Sequence, residues 1–294
     1  MNAPAPDVGA VGPTVLAFYQ GCAFNTYSDP AKQIADITAG NQLERQYADL
    51  HSILGSRRRT TFFDVGCGAG WLSLTVERYY GKTVTGLDFN PAVVEVAQTV
   101  AAKMQSRATF RAGDLFALSP ATDGTFDVVC SMGVLHHPGD CRGAVATVAP
   151  LVAPGPDARL YLGLYHLYGR RPFLEHFAAM RRAGRSEDEM LRAFAKLHPG
   201  LRDPQHVRSW FRDQVLHPHE TQHTLAEVAE WLDGLGFEIE STSINRYAPI
   251  DDLAALFVHE KTYEALSQQR NVVEGRYFPG FFSVAARRKA ARPC

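Results

Sequence analysis

Short β-rich runs alternate with helix-patterned stretches from residue 60 to residue 165, and few folds accept that order. The spacing predicts strands over 60–66, 83–89, 108–114, 126–131 and 158–165. It predicts helices over 71–80, 92–105 and 141–152, the second opened by Asn90 as N-cap and Pro91 at the first helical position. Strand–helix alternation with short loops implies parallel βαβ units with helices on both faces of the sheet. In such sheets ligands bind beyond the carboxyl ends of the strands, so functional residues are expected just after each run.

Polar and glycine residues cluster at those places. The first run ends in Asp64-Val-Gly-Cys-Gly-Ala-Gly70, whose alternate glycines allow a tight turn and a close approach of backbone N–H groups to a ligand. The G-x-G-x-G spacing differs from the G-x-G-x-x-G of the pyrophosphate fingerprint. Asp88, after the second run, is placed to accept from a ribose diol. Gly113-Asp114-Leu115 follows the third run, and Ser131-Met-Gly-Val-Leu-His-His137 the fourth.

Together D-V-G-C-G-A-G, G-L-D-F-N, A-G-D-L-F and F-D-V-V-C-S-M-G-V-L-H-H resemble the successive motifs of class I S-adenosylmethionine-dependent methyltransferases, across roughly residues 60–165. The resemblance implies a Rossmann-like, doubly wound α/β sheet of seven strands in the order 3-2-1-4-5-7-6, the last antiparallel. It implies S-adenosylmethionine as cofactor and S-adenosylhomocysteine as product. Gly66, Gly68 and Gly70 would approach the methionine part, with Asp64 and Cys67 beside them. Asp88 would hold the ribose, Phe89 and Asn90 would lie by the adenine, and Asp114 would accept from the adenine amino group next to Leu115. Ser131, Met132 and Gly133 would line the cofactor near its sulfonium. Each acidic residue taken singly also reads as a turn or capping residue.

The rest of the chain completes and elaborates that core. Thr224-Leu-Ala-Glu227 is a capping box that opens a helix with an apolar stripe. A strand over 237–243 and a last strand over 281–286 follow, separated by a helical elaboration near 251–270. Between the fifth strand and the capping box lies an Arg- and His-rich insertion, 167–223, with helical patterns near 173–183, 187–197 and 205–215. It reads as a lid over the cofactor, or as a dimerisation surface. The expected organisation is a leader and cofactor-covering segment (1–50), the core (51–166), the lid (167–223) and the completion of the core (224–294). Tyr19, Asn25 and Tyr27 in the aromatic segment before the core are candidate cofactor contacts.

Methyl transfer from a sulfonium is an in-line displacement, for which the protein supplies alignment, desolvation and, for a protonated acceptor, a base. His136 and His137 are the candidate bases. At the rim after the fifth strand, Tyr165, His166, Tyr168 and Arg170 are candidate acceptor contacts. The stretch His217-Pro218-His219-Glu220-Thr221-Gln222-His223 contains HETQH, the letters of the H-E-x-x-H zinc-protease pattern. That pattern needs a helix, yet the capping box starts the helix after it and Pro218 holds His217 extended. The segment is instead expected at the junction of lid and core, with His217, His219, Glu220 and His223 facing the acceptor and no metal bound.

The 30 basic and 31 acidic residues balance, so charge gives no reason to expect a nucleic-acid or anionic membrane partner. The five scattered cysteines form no C-x-x-C pair, and the N-terminus lacks the pattern of a signal peptide, which together point to a cytoplasmic protein. The expected function is methyl transfer to a small-molecule acceptor. The alternative is a non-catalytic regulatory or accessory protein that binds the same cofactor.

Overall fold

The computed structural model of the chain describes residues 14–19, 24–27 and 29–290. The expected leader 1–13, Cys22 and Cys294 lie outside them. Residues 14–19 are helical, and three helices precede the sheet: α1 (Pro30–Thr38), α2 (Gln42–Gln46) and α3 (Ala48–Gly55). The core then runs β1 (Thr61–Val65), α4 (Trp71–Tyr80), β2 (Thr83–Asp88), α5 (Pro91–Met104), β3 (Thr109–Ala112), β4 (Val128–Met132), α6 (Cys141–Val148) and β5 (Arg159–Tyr165). The insertion holds α7 (Leu167–Arg182), α8 (Glu187–Leu197) and α9 (Pro204–Phe211). After it come α10 (Leu225–Gly234), β6 (Phe237–Thr242), α11 (Leu253–His259), α12 (Tyr263–Ser267) and β7 (Phe281–Arg288).

The seven strands form one sheet in the order β3-β2-β1-β4-β5-β7-β6. β1 to β5 pair in parallel, and β7 is antiparallel to both β5 and β6. Alternate strand residues serve opposite faces, as the period of two requires. Phe63, Val65, Val129, Leu160 and Leu162 pack under α6 and α10, whereas Phe62, Val84, Val128, Cys130 and Tyr161 pack under α3 and α4. The helix after β4 is shorter than expected: α6 stops at Val148, where Pro150 forces a 3₁₀ turn through Leu151.

The insertion has its own apolar core of Phe173, Phe177, Met190, Phe194, Leu197 and Phe211. α9 ends in a π-helical turn, Arg212–Leu216, a register change that occurs frequently at functional sites. The turn buries Asp213 and Gln214, which point back toward the carboxyl ends of β4 and β5.

The HPHETQH stretch is extended and sewn to the core by its backbone. Thr221 N donates to the His136 carbonyl at 2.8 Å, His223 N to Tyr165 O at 2.9 Å, and Leu167 N to His223 O at 2.9 Å. The capping box at Thr224 and Glu227 forms as read from the sequence and starts α10 beyond the histidines. His219 and His223 therefore do not share a helical face, and the H-E-x-x-H arrangement does not exist here.

Candidate active site

The site lies at the carboxyl ends of β1, β2 and β4, and its floor is the glycine turn. Gly66, Gly68 and Gly70 have φ of 81°, 52° and 83°. A Cβ on Gly66 would stand 2.3 Å from Val134 Cγ2, whereas one on Gly68 would meet nothing within 4 Å. Gly66→Ala is thus expected to lose about 2 kcal/mol or more of stability through strain and overlap, and Gly68→Ala distinctly less. Chemical denaturation of both variants checks this, and equal losses would contradict it.

Asp88 organises the turn. Its Oδ2 accepts from Gly68 N at 2.9 Å and its Oδ1 from Asn90 N at 3.0 Å. Each oxygen keeps a lone pair for a diol. Burial raises its pKa, against the pull of those N–H groups. Gln33 of α1 closes the turn from outside, with its Nε2 on Ala69 O at 2.8 Å. Gln33 was not legible as a site residue, because a lone glutamine on an amphipathic helix carries no motif.

Several expected cofactor contacts have their side chains engaged by the protein itself. Burial raises the Asp64 carboxyl to about 7, although Ser73 Oγ donates to it at 2.6 Å. Ser131 Oγ donates to Val65 O at 2.8 Å and is fully buried, so its hydroxyl is committed to the core. Asn90 caps α5 through Ala92 N at 3.1 Å. Asp114 is exposed and caps the next turn through Phe116 N at 2.9 Å, leaving its second oxygen toward solvent. Cys67 is a buried thiol, which raises its pKa. Phe89 stays 37% exposed, with Leu115 half-buried across the same rim. Met132 and Gly133 lie beside β5, where Gly133 N donates to Gly163 O at 3.0 Å.

Beyond the glycine turn a buried polar cluster joins the core to the insertion and to the N-terminal segment. Asp213 is its centre. Tyr19 OH donates to its Oδ1 at 2.6 Å, and Tyr165 OH to its Oδ2 at 3.2 Å. His137 and His217 lie face to face at a 32° tilt with centroids 3.9 Å apart, and His137 Nε2 stands 3.9 Å from Asp213 Oδ1. Burial lowers His137 to about 4 and His217 to about 3, and it raises Asp213. Among the described residues neither His137 Nε2 nor His217 Nε2 has a hydrogen-bond partner, although both are buried. A buried polar atom without a partner is costly, so a group from outside the chain is expected there. His136 lies behind them, fully buried, with Tyr165 N donating to its Nδ1 at 3.3 Å.

Other expected acceptor contacts are structural. Arg170 is fully buried; its Nε and Nη2 bind Glu220 at 3.0 and 2.8 Å, and Gln214 takes two more of its five donors. Its guanidinium also lies 4.0 Å from the centre of the Tyr165 ring. Arg170 and Glu220 are a buried lock and not an acceptor clamp, because no donor faces outward. His166 turns away to Glu260, 2.9 Å from its Nε2, and Tyr168 packs on the His166 ring. His223 binds Thr221 Oγ1 at 2.8 Å and packs on Trp231. His219 Nδ1 donates to His137 O at 2.9 Å, and His137 Nδ1 to His219 O at 3.2 Å. Asn25 ties the N-terminal segment to His206 and Trp210 of α9, and Tyr27 binds Asp36. Of the expected residues, His137, His217, Tyr19 and Tyr165 come together. Asp213 joins them without having been read from the sequence; its signal is an acid within the apolar W-F-R-D-Q-V-L stretch.

A groove of about 1050 Å³ opens beside Tyr19, between α5 and the insertion; Asn90, Gln33, Arg208 and Arg212 line it. Its described lining contains four arginines and no acid.

A glycine turn, a buried ribose-height carboxylate and a 3-2-1-4-5-7-6 sheet define a methyltransferase fold, and residues 62–155 match the family model of a methyltransferase domain. The chain carries a class I S-adenosylmethionine-dependent methyltransferase domain. It is 31% identical over 133 residues to a ubiquinone biosynthesis O-methyltransferase of Alkalilimnicola ehrlichii, covering 45% of this chain and 53% of that protein. It is 28% identical over 220 residues to the protein of that name from Xanthomonas euvesicatoria, covering 75% and 79%. The chain thus spans about half the length of the first of these relatives. The magnesium protoporphyrin IX methyltransferase of Synechocystis PCC 6803, solved with bound SAM, shares the fold at a TM-score of 0.51 and 15% identity, over 98% of this chain and 100% of that one.

Proposed function

We propose that the chain transfers the methyl group of S-adenosylmethionine to a small-molecule acceptor, with His137 as the residue next to the reacting atoms. The observation that carries this reading is the juxtaposition of the Asp88-braced glycine turn with a buried, unpartnered imidazole nitrogen on the turn after β4. The cofactor brings its own leaving group, so the protein's tasks are alignment and exclusion of water. Tyr19 from the N-terminal segment and Asp213 and His217 from the insertion close over the place where the methyl would be presented. A buried recognition pair suits a small acceptor better than a polymer, and the relatives named above act in small-molecule biosynthesis by their names. Location in the cytoplasm accords with this reading; among the described residues no helix is long and apolar enough to cross a membrane.

Calorimetric titration with S-adenosylmethionine tests the cofactor half of the proposal. Asp88→Ala is expected to weaken binding by about 1–3 kcal/mol, since it removes the diol acceptor and frees the N–H groups that it holds. No binding to the unaltered protein at millimolar cofactor would sink the reading, and an unchanged affinity in the variant would remove Asp88 from the site.

A further inference from the structure

The hydrogen bonds around the two adjacent imidazoles fix their tautomers. A carbonyl oxygen can only accept, so the contact from His137 Nδ1 to His219 O places the His137 proton on Nδ1. Its Nε2 is then a bare lone pair. A backbone N–H can only donate, so the 3.2 Å contact from His219 N to His217 Nδ1 makes that nitrogen an acceptor and puts the His217 proton on Nε2. These two rings therefore present one orphaned acceptor and one orphaned donor, side by side and both buried, with the unpartnered Nε2 of His136 behind them. Asp213 Oδ1, 3.9 Å from His137 Nε2, is too far for a direct bond and at the right distance to be bridged by a third polar atom.

We infer that this pair is a recognition site for a hydroxyl group, so that the acceptor is a phenol or enol which donates to His137 Nε2 and accepts from His217 Nε2–H. The inference rests on the methyl-transfer reading and names its acceptor atom. Lone-pair arithmetic excludes amine, ammonium and carboxylate acceptors, and a thiol, with a proton and two lone pairs but a weak hydrogen-bonding sulfur, fits the pair less well than a hydroxyl. A neutral amine has a single lone pair; held by His217, it has none left to attack the methyl. An ammonium has no lone pair, and a carboxylate has no proton for His137. A hydroxyl oxygen has two lone pairs, one for His217 and one in line with the sulfonium. In the step itself the acceptor O–H bond breaks with its proton passing to His137 Nε2, the O–CH₃ bond forms, and the C–S bond breaks with its electron pair going to sulfur. The imidazolium then faces the Asp213 carboxylate. A buried neutral imidazole is a weak base, which favours an acidic hydroxyl over an alkanol. The same three residues offer ligand-type atoms within 4.8 Å of one another, but a metal at His217 Nε2 would have to displace the proton that the His219 N–H keeps there.

Spectra, metal content, product chemistry and variant kinetics decide it. In ¹⁵N-histidine spectra of the full chain with S-adenosylhomocysteine, His137 should be the neutral Nδ1–H tautomer and His217 the neutral Nε2–H tautomer at pH 7. The opposite tautomer or an imidazolium at either ring overturns the inference, as does stoichiometric zinc or manganese in the purified protein. Transfer from ¹³C-methyl S-adenosylmethionine into a bacterial metabolite extract should give a methoxy product. A label on nitrogen, sulfur or carbon overturns the hydroxyl assignment and leaves methyl transfer standing, whereas failure to bind the cofactor overturns methyl transfer itself. With the methoxy-forming acceptor, His217→Ala should raise KM roughly 5- to 150-fold, and His217→Gln, which retains an N–H donor, should recover part of it.

Discussion

His137→Ala should lower kcat by about 10²- to 10⁴-fold, the range for loss of a positioned base. His137→Asn should be as slow, although its amide can still donate to the His219 carbonyl; recovery in that variant would make His137 a positioning residue only. Cofactor affinity, read by calorimetry, should change little. The pH profile gives an independent check. Burial lowers His137 to about 4, against the opposing pull of the Glu220 carboxylate and the His219 carbonyl, so kcat/KM should stay flat from pH 8 down to about 5. A limb near an ordinary histidine value of about 6.5 would contradict a buried base. Stability carries the same sign. His137 and His217 refuse protons that the unfolded chain accepts, so their contribution is complete above about pH 6.5 and is lost as the pH falls toward 4 and 3.

Arg170→Met should cost about 3–5 kcal/mol in denaturant unfolding, because it strands Glu220 as a buried charge without its partner. Burial alone would raise the Glu220 carboxyl; the charge and hydrogen bonds of Arg170 override it and hold the carboxyl below its usual range. Arg170→Lys should not restore the loss, since an ammonium cannot serve both carboxylate oxygens and Gln214 together. Removing both charges, in Arg170→Met with Glu220→Leu, should recover part of it. A loss under about 1 kcal/mol for the single variant would mean that the pair is not what holds the insertion to the core.

The parts of the molecule governed by local periodicity could be read from the chain. α4 runs over the residues expected, and the capping box at Thr224 and the Asn90-Pro91 start of α5 are there because each is a bond between near neighbours in sequence. The strand order followed from a resemblance, and local pattern alone would have left it open. What was not legible depends on contacts across long separations. Arg170 looks like a rim cation beside Arg171, and only its distance in space to Glu220, 50 residues away, shows that it faces inward. HETQH carries the letters of a helical motif but not the conformation, because its backbone bonds run to β5 and to the turn after β4. Asp213 was missed because its placement depends on a π turn, and no residue type announces one.

That turn makes the placement of the central carboxylate a matter of residue count. Deleting Arg212 would let the segment relax to ordinary α-helical bonding with the remaining side chains chemically intact, and would swing Asp213 by about 100° around the helix axis. In this chain the site is encoded partly in phase, so a one-codon deletion there would move it off its target more surely than most substitutions could.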